Sequence, residues 1–386
     1  MSGHEIYLDH AASSPMRPEA RAAWIEASSR HHANPTGAHK AARDARRALD
    51  DARDSIAGAI GCLPSEVVFT SGGSEADNFA IRGTLASRGG VAVCTAGEHH
   101  AVLEPVEHAG GVTFGLLPDG TPDLADLAAV LDRTPDVSIV SAMAVNNETG
   151  VITPLSEVAR VVREHAPAAL LHTDAVQAVQ WLDLRAAASD FDLISVTGHK
   201  IGGPVGTGAI IMRGGLELDP LILGGGQERG RRAGTPDVAG AVAFAAAMTS
   251  AVATRESDVA RVRVLRDKLI DGLVGSIPDR IVVTAAPDGS LDHIVAGIGH
   301  ICLRGVEAEA LLFLLDAEGL RASAASSCSA GAQEPSHVLA AMGVPRDLAI
   351  GSLRLSLGPA TTEAEITDAL RIIPAAFDRL TPFGGG

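Results

Sequence analysis

The stretch FDLISVTGHKIGGPVGTG, residues 191–208, decides how the rest of the chain is read. Its first seven residues mix Phe191, Leu193, Ile194 and Val196 with short polar side chains, the composition of a buried strand. The strand then breaks into a glycine-rich turn with no clear helix after it, so Lys200 stands just beyond a strand end, where backbone can approach a ligand closely. The order is not that of a phosphate-binding G-x-x-x-x-G-K-[ST] loop. Short β-rich runs also occur at 67–70, 91–95, 112–117, 137–143 and 170–174, most separated by stretches long enough for a helix. That alternation predicts an α/β domain with a mostly parallel sheet.

The intervening segments follow helical spacing. Residues 40–60 place Ala45, Leu49, Ala52, Ile56 and Ile60 on one face, and residues 237–274 form a long alanine-rich helical stretch. Beyond it the pattern changes to mixed β and α. A boundary near residue 255 divides the chain into a large domain, 16–255, and a smaller α+β domain made of 1–15 and 256–386. Cys62, Cys94, Cys302 and Cys328 are far apart and contain no C-x-x-C pair, which argues against a disulfide framework or zinc knuckle and for a reducing, cytoplasmic setting. A net charge of -16 disfavours direct contact with nucleic acid or anionic membrane. The start carries no basic segment followed by an apolar run, and no uninterrupted apolar stretch reaches the roughly 18 residues of a membrane span.

Only Lys40, Lys200 and Lys268 are lysines among the 31 basic Lys and Arg residues. A desolvated lysine loses its proton and forms a Schiff base with an aldehyde, which arginine does not. Lys40 and Lys268 lie in charged helical stretches, which leaves Lys200 as either that nucleophile or a plain loop residue. VVFTSGGSEADNFAI (67–81) runs from strand through glycines to helix, with Ser74 as the expected N-cap, and reads as a phosphate cradle or simply a glycine turn. LLHTDAVQAV (170–179) sets Asp174 at a strand end, with Gln177 three residues on; a buried carboxylate there calls for a cationic partner such as a protonated pyridine nitrogen. His99 follows another strand end. Its neighbour His100 points away on an extended segment and nothing completes a metal set, so no metal is expected.

Ten segments, from YLDHAASSPM through NPTGAHKAAR, TSGGSEADN, EHHAVLEP, VNNETGVITP, HTDAVQA, SVTGHKIGGPVGTG, GGGQERGRRAGT and SSCSAGAQEPSHVL to SLRLSLG, resemble in order the class V aminotransferase family of pyridoxal phosphate enzymes. Within it the likeness is to cysteine desulfurases of the nitrogen-fixation and iron-sulfur-assembly type. The resemblance implies the fold type I architecture: a large domain with a mostly parallel seven-stranded sheet flanked by helices, and a smaller α+β domain. It implies pyridoxal 5′-phosphate bonded to Lys200, with Asp174 at the ring nitrogen, Gln177 at the ring hydroxyl and His99 stacked on the ring and assisting proton transfer. Gly73, Ser74, Thr197 and His199 would hold the phosphate, joined by Thr235 from the second subunit of a homodimer. Asn147, Arg354 and Asn34 would bind the substrate carboxylate. Cys328, on a loop of small residues expected to be reachable and mobile, would take sulfur from L-cysteine as a persulfide, release L-alanine and pass the sulfur to an acceptor protein. A selenocysteine lyase or another class V aminotransferase-type reaction would use much of the same site.

Overall fold

The computed structural model describes residues 5–324 and 335–381. Twelve strands follow one another along the described chain: β1 (Ile6–Tyr7), β2 (Val67–Thr70), β3 (Val91–Thr95), β4 (Val112–Phe114), β5 (Val137–Ser141), β6 (Leu170–Asp174), β7 (Leu193–Thr197), β8 (Gly208–Met212), β9 (Ile281–Val283), β10 (Ile298–Leu303), β11 (Leu320–Arg321) and β12 (Ser352–Ser356). Seven of them form one sheet in the order β2-β8-β7-β6-β5-β3-β4. β3, β4, β5, β6 and β7 pair in parallel. β8 runs antiparallel to both β2 and β7, so β2 points the same way as the parallel strands and its carboxyl end lies at the same sheet edge.

Alternation along each strand supplies the two faces. Val67, Val140 and Ile194 enter a core with Leu49 and Ile56 of the helix Lys40–Ile60, while Val68, Ile139 and Leu193 face a second layer with Phe79 and Val102. Within this sheet, the five buried residues of β8 are the one strand that the sequence reading does not include. Directly after a run of glycines, a short apolar stretch carries no period of its own. β4 ends three residues earlier than expected, because Leu117 N bonds Thr121 O and turns the chain away from the sheet.

A separate apolar core gathers Ile6 and Leu8 with Leu265, Leu269, Leu353, Leu355, Ile366 and Phe377. β12, β10 and β9 make an antiparallel sheet there, and β1 pairs with β11 in parallel. The helix Val238–Ser276 serves both cores, Phe244 and Met248 the first and Leu265 and Leu269 the second. By length and composition this helix could cross a membrane, with a mean hydropathy of 1.4 over its most apolar window. Half of that window is nevertheless buried within the protein.

Candidate active site

The carboxyl ends of the strands converge on one edge, where open α/β sheets place their ligands. Asp174 is the last residue of β6, Lys200 lies three beyond β7, His99 four beyond β3, and Gly72–Gly73 open the helix after β2. Lys200 Nζ donates to the carbonyls of Ala11 (2.7 Å) and Ala12 (2.9 Å), and Gln177 Nε2 donates to the same Ala11 oxygen at 2.7 Å. The segment after β1 therefore ties Lys200 and Gln177 together. Lys40 and Lys268 are paired on the surface with Asp44 and Glu363.

The turn after β2 depends on missing side chains. Gly72 has φ 154°, backbone that a side chain disfavours. A Cβ on Gly73 would stand 2.6 Å from Val176 Cγ2, and one on Gly208 would stand 2.7 Å from Gly72 Cα. Gly72 is the N-cap and the helix begins at Gly73, so Ser74 is not the expected cap but a residue of the first turn. Glycine's freedom at Gly72 moves the start forward by two residues. Thr197, at the end of β7, donates to Thr207 O at 2.9 Å and lies beside Gly72, where a Cβ would come 4.0 Å from its Oγ1.

Burial governs the charges. Asp174 is 4% exposed, and desolvation pushes its carboxyl up to about 6 against the lowering effects of the Val176 N–H and Lys200. His99 is pushed down to about 4 by burial and by Lys200, His100 and His337; His199 falls to about 4 by burial and Lys200. His99 Nδ1 accepts from Ala101 N at 3.1 Å, so its proton sits on Nε2. Arg354, buried, donates to the backbone oxygen of Asn147 at 2.8 Å and pairs with Asp9 at 2.9 Å, while its Nε has no partner among the described residues.

Two expected residues are exposed. Asn34 is exposed, and its side chain accepts from the N–H and hydroxyl of Thr36 within its own turn. Thr235 is exposed on a loop facing Ser71 and Thr207. Cys328 lies outside the described residues, but both flanks of its segment touch this region. Ser323 pairs with Arg354 through the backbone, and Ser336 donates to the buried carboxylate of Glu148, next to Asn147. Sequence reading did not single out Glu148, Glu98 or Asp77, all buried carboxyls raised above the ordinary range by desolvation. Their only signal was membership of the NNETG, EHH and SEADN segments.

The model of the aminotransferase class V family matches residues 6–369. The chain belongs to that family. It is 44% identical over 387 residues to an IscS-like cysteine desulfurase of Mycobacterium tuberculosis, covering 97% of this chain and 96% of that protein. It is 36% identical over 384 residues to the cysteine desulfurase IscS of Dictyoglomus turgidum, at 97% and 95% coverage. A solved NifS-like protein superposes with a TM-score of 0.89 at 30% identity, over 97% of this chain and all of that one. The seven-stranded, mostly parallel sheet is the architecture that the family resemblance implies.

Proposed function

We propose that this chain is a pyridoxal-phosphate-dependent cysteine desulfurase that moves sulfur from L-cysteine onto Cys328, leaves L-alanine, and delivers the sulfur to an acceptor protein. One observation carries the reading: the two flanks of the segment holding Cys328 rest on Arg354 and on Glu148, at the same strand edge that bears Lys200, Asp174 and His99.

The residues present fit the cofactor. Lys200 would bond its aldehyde, Asp174 would face the ring nitrogen, Gln177 the ring hydroxyl and His99 the ring face. The Gly72–Ser74 turn, where an added Cβ would collide with Val176, would hold the phosphate with Thr197 and His199. When bound, pyridoxal phosphate supplies an electron sink for the pair left by a departing Cα proton. Arg354 and Asn147 hold the substrate carboxylate and so aim Cα–H toward the Lys200 amine, which takes the proton. His99, neutral at pH 7, keeps Nε2–H available as a donor. Cys328 attacks as the thiolate: its sulfur bonds the substrate sulfur, the substrate C–S bond breaks, and the carbon left behind gains a proton to become alanine. Persulfide and alanine form one for one.

The same reading takes the chain as a cytoplasmic homodimer of two-domain subunits, 16–255 against 1–15 with 256–386, in which Thr235 serves the partner's phosphate. The test is incubation of the purified protein with L-cysteine, counting alanine and protein-bound persulfide. Equal amounts in a single turnover are expected. Alanine without persulfide, or neither product, would overturn the proposal.

A further inference from the structure

The GGGQERGRRAGT segment has a task that the reaction alone does not explain. Glu228 reaches back 175 residues to Arg53, on the helix Lys40–Ile60, and accepts two hydrogen bonds from its guanidinium at 2.8 Å each. Both side chains are buried, with 7% and 4% exposure. The same carboxylate accepts the N–H of Phe69 at 3.0 Å, Arg53 also donates to Val67 O at 2.6 Å, and its guanidinium lies 4.8 Å from the Phe69 ring centre. One ion pair thus fixes β2 immediately before the Thr70–Gly73 turn. Holding it there costs backbone strain, since Glu228 and Arg229 sit at φ 47° and 59°, a left-handed region that non-glycine residues avoid.

Four residues further on, Arg232 forms a forked pair with Glu75 at 2.9 and 3.2 Å. Glu75 lies in the first turn of the helix at Gly73 and accepts the Ser71 N–H at 2.8 Å. Arg229 and Arg231 both donate to Ser65 O. Between the two ion pairs lies a cavity of about 190 Å³ whose lining includes Thr70, Ser71, Thr207, Arg232 and Thr235.

We propose that residues 227–235 form an arch that sets the shape of the phosphate cradle, pinned at one end by Arg53–Glu228 and at the other by Arg232–Glu75. Glu228 and Arg232 are positioning residues for the phosphate end of the site. The inference rests on the pyridoxal phosphate reading above.

The test titrates cofactor-free full-length protein with pyridoxal 5′-phosphate and, separately, with pyridoxal, which lacks the phosphate. Glu228→Gln and Arg232→Gln should each weaken pyridoxal 5′-phosphate binding at least tenfold and change pyridoxal binding less than twofold. Arg46→Gln, which breaks an exposed pair on the same helix as Arg53, should change neither. Should Glu228→Gln fail to fold, as judged by its melting curve, Arg232→Gln decides alone, because its pair is partly exposed. An equal loss for both ligands would mean general loosening and would overturn the arch, as would no loss for either. A parent protein that does not bind pyridoxal 5′-phosphate at all would instead overturn the cofactor reading, and the inference with it.

Discussion

Asp174→Asn should make the cofactor-free protein more stable and the loaded enzyme nearly inactive. In the folded chain the carboxyl sits at about 6 rather than 3.8, because burial disfavours its charge. Between those two values the folded chain keeps a proton that the unfolded chain has released. Stability is therefore lost as pH rises through that window, and the whole penalty stands at pH 8. It amounts to about 3 kcal/mol. The substituted amide keeps the bond from Val176 N but brings an NH₂ that needs its own partner, at a cost of about 1–3 kcal/mol, so the gain lies between nothing and about 2 kcal/mol. For a chain of this length the upper end corresponds to a shift of about 2–3 °C.

Scanning calorimetry of the cofactor-free proteins at pH 8 and pH 5 reads this directly. The variant should melt higher at pH 8, and its advantage should fall by about 1.4 kcal/mol near pH 5, where the parent carboxyl is mostly protonated and about half of the charge penalty is gone. Buried histidines shared by both proteins cancel in the difference. Adding pyridoxal 5′-phosphate should raise the parent's melting temperature more than the variant's, because only the carboxylate gains a counter-charge. Turnover should fall by about 100-fold or more. A variant that melts below the parent at pH 8, or a gap that does not change with pH, would show that Asp174 is not held against its charge and would remove the reason for assigning it to a cationic ring nitrogen.

Lys200→Ala should abolish the visible absorbance of bound cofactor, while Lys40→Ala and Lys268→Ala keep it; colour retained in the first variant would move the attachment elsewhere. Cys328→Ser should keep that absorbance and lose alanine and persulfide production to background, and labelled sulfur recovered on another thiol would refute the assignment. Gly208→Ala should lower retention of pyridoxal 5′-phosphate at least tenfold, since its Cβ would press on Gly72 backbone at 2.7 Å; unchanged retention on dialysis would contradict the cradle.

What the sequence discloses follows from how local each signal is. β2, β3 and β6 match their expected bounds because each short apolar-rich run is followed by a small residue, Ser71, Ala96 or Ala175. The helix Lys40–Ile60 matches because its buried face repeats over five turns. Lys200, Asp174, Gln177 and His99 could be picked out because each follows a readable strand, and lysine is scarce. Arg53–Glu228, Glu148–Ser336 and the Glu98 bond to Met143 N join residues 175, 188 and 45 positions apart, so nothing local announces them. Asp77 in SEADN looks like an exposed helix residue, and only the sheet packed over it makes it 1% exposed.

The four cysteines divide along the same physical line. Burial and nearby carboxylates push Cys62 up to about 11 and Cys94 well above the thiol range, and burial takes Cys302 to about 11. At pH 7 a thiol at 11 is thiolate in roughly one molecule of 10,000, which leaves it inert toward the sulfur of a substrate. Cys94 lies in β3 and Cys302 in β10, enclosed by core, and Cys62 follows the helix Lys40–Ile60. Cys94, one residue short of the carboxyl end of β3, is walled off by burial from the strand edge that carries Lys200. In the proposed reaction the sulfur acceptor must be both ionisable and within reach of a substrate held by Arg354. Only Cys328 belongs to a segment whose flanks, Ser323 and Ser336, already stand at that edge. The small residues around it and the burial of the other three thiols both support the proposed role of Cys328.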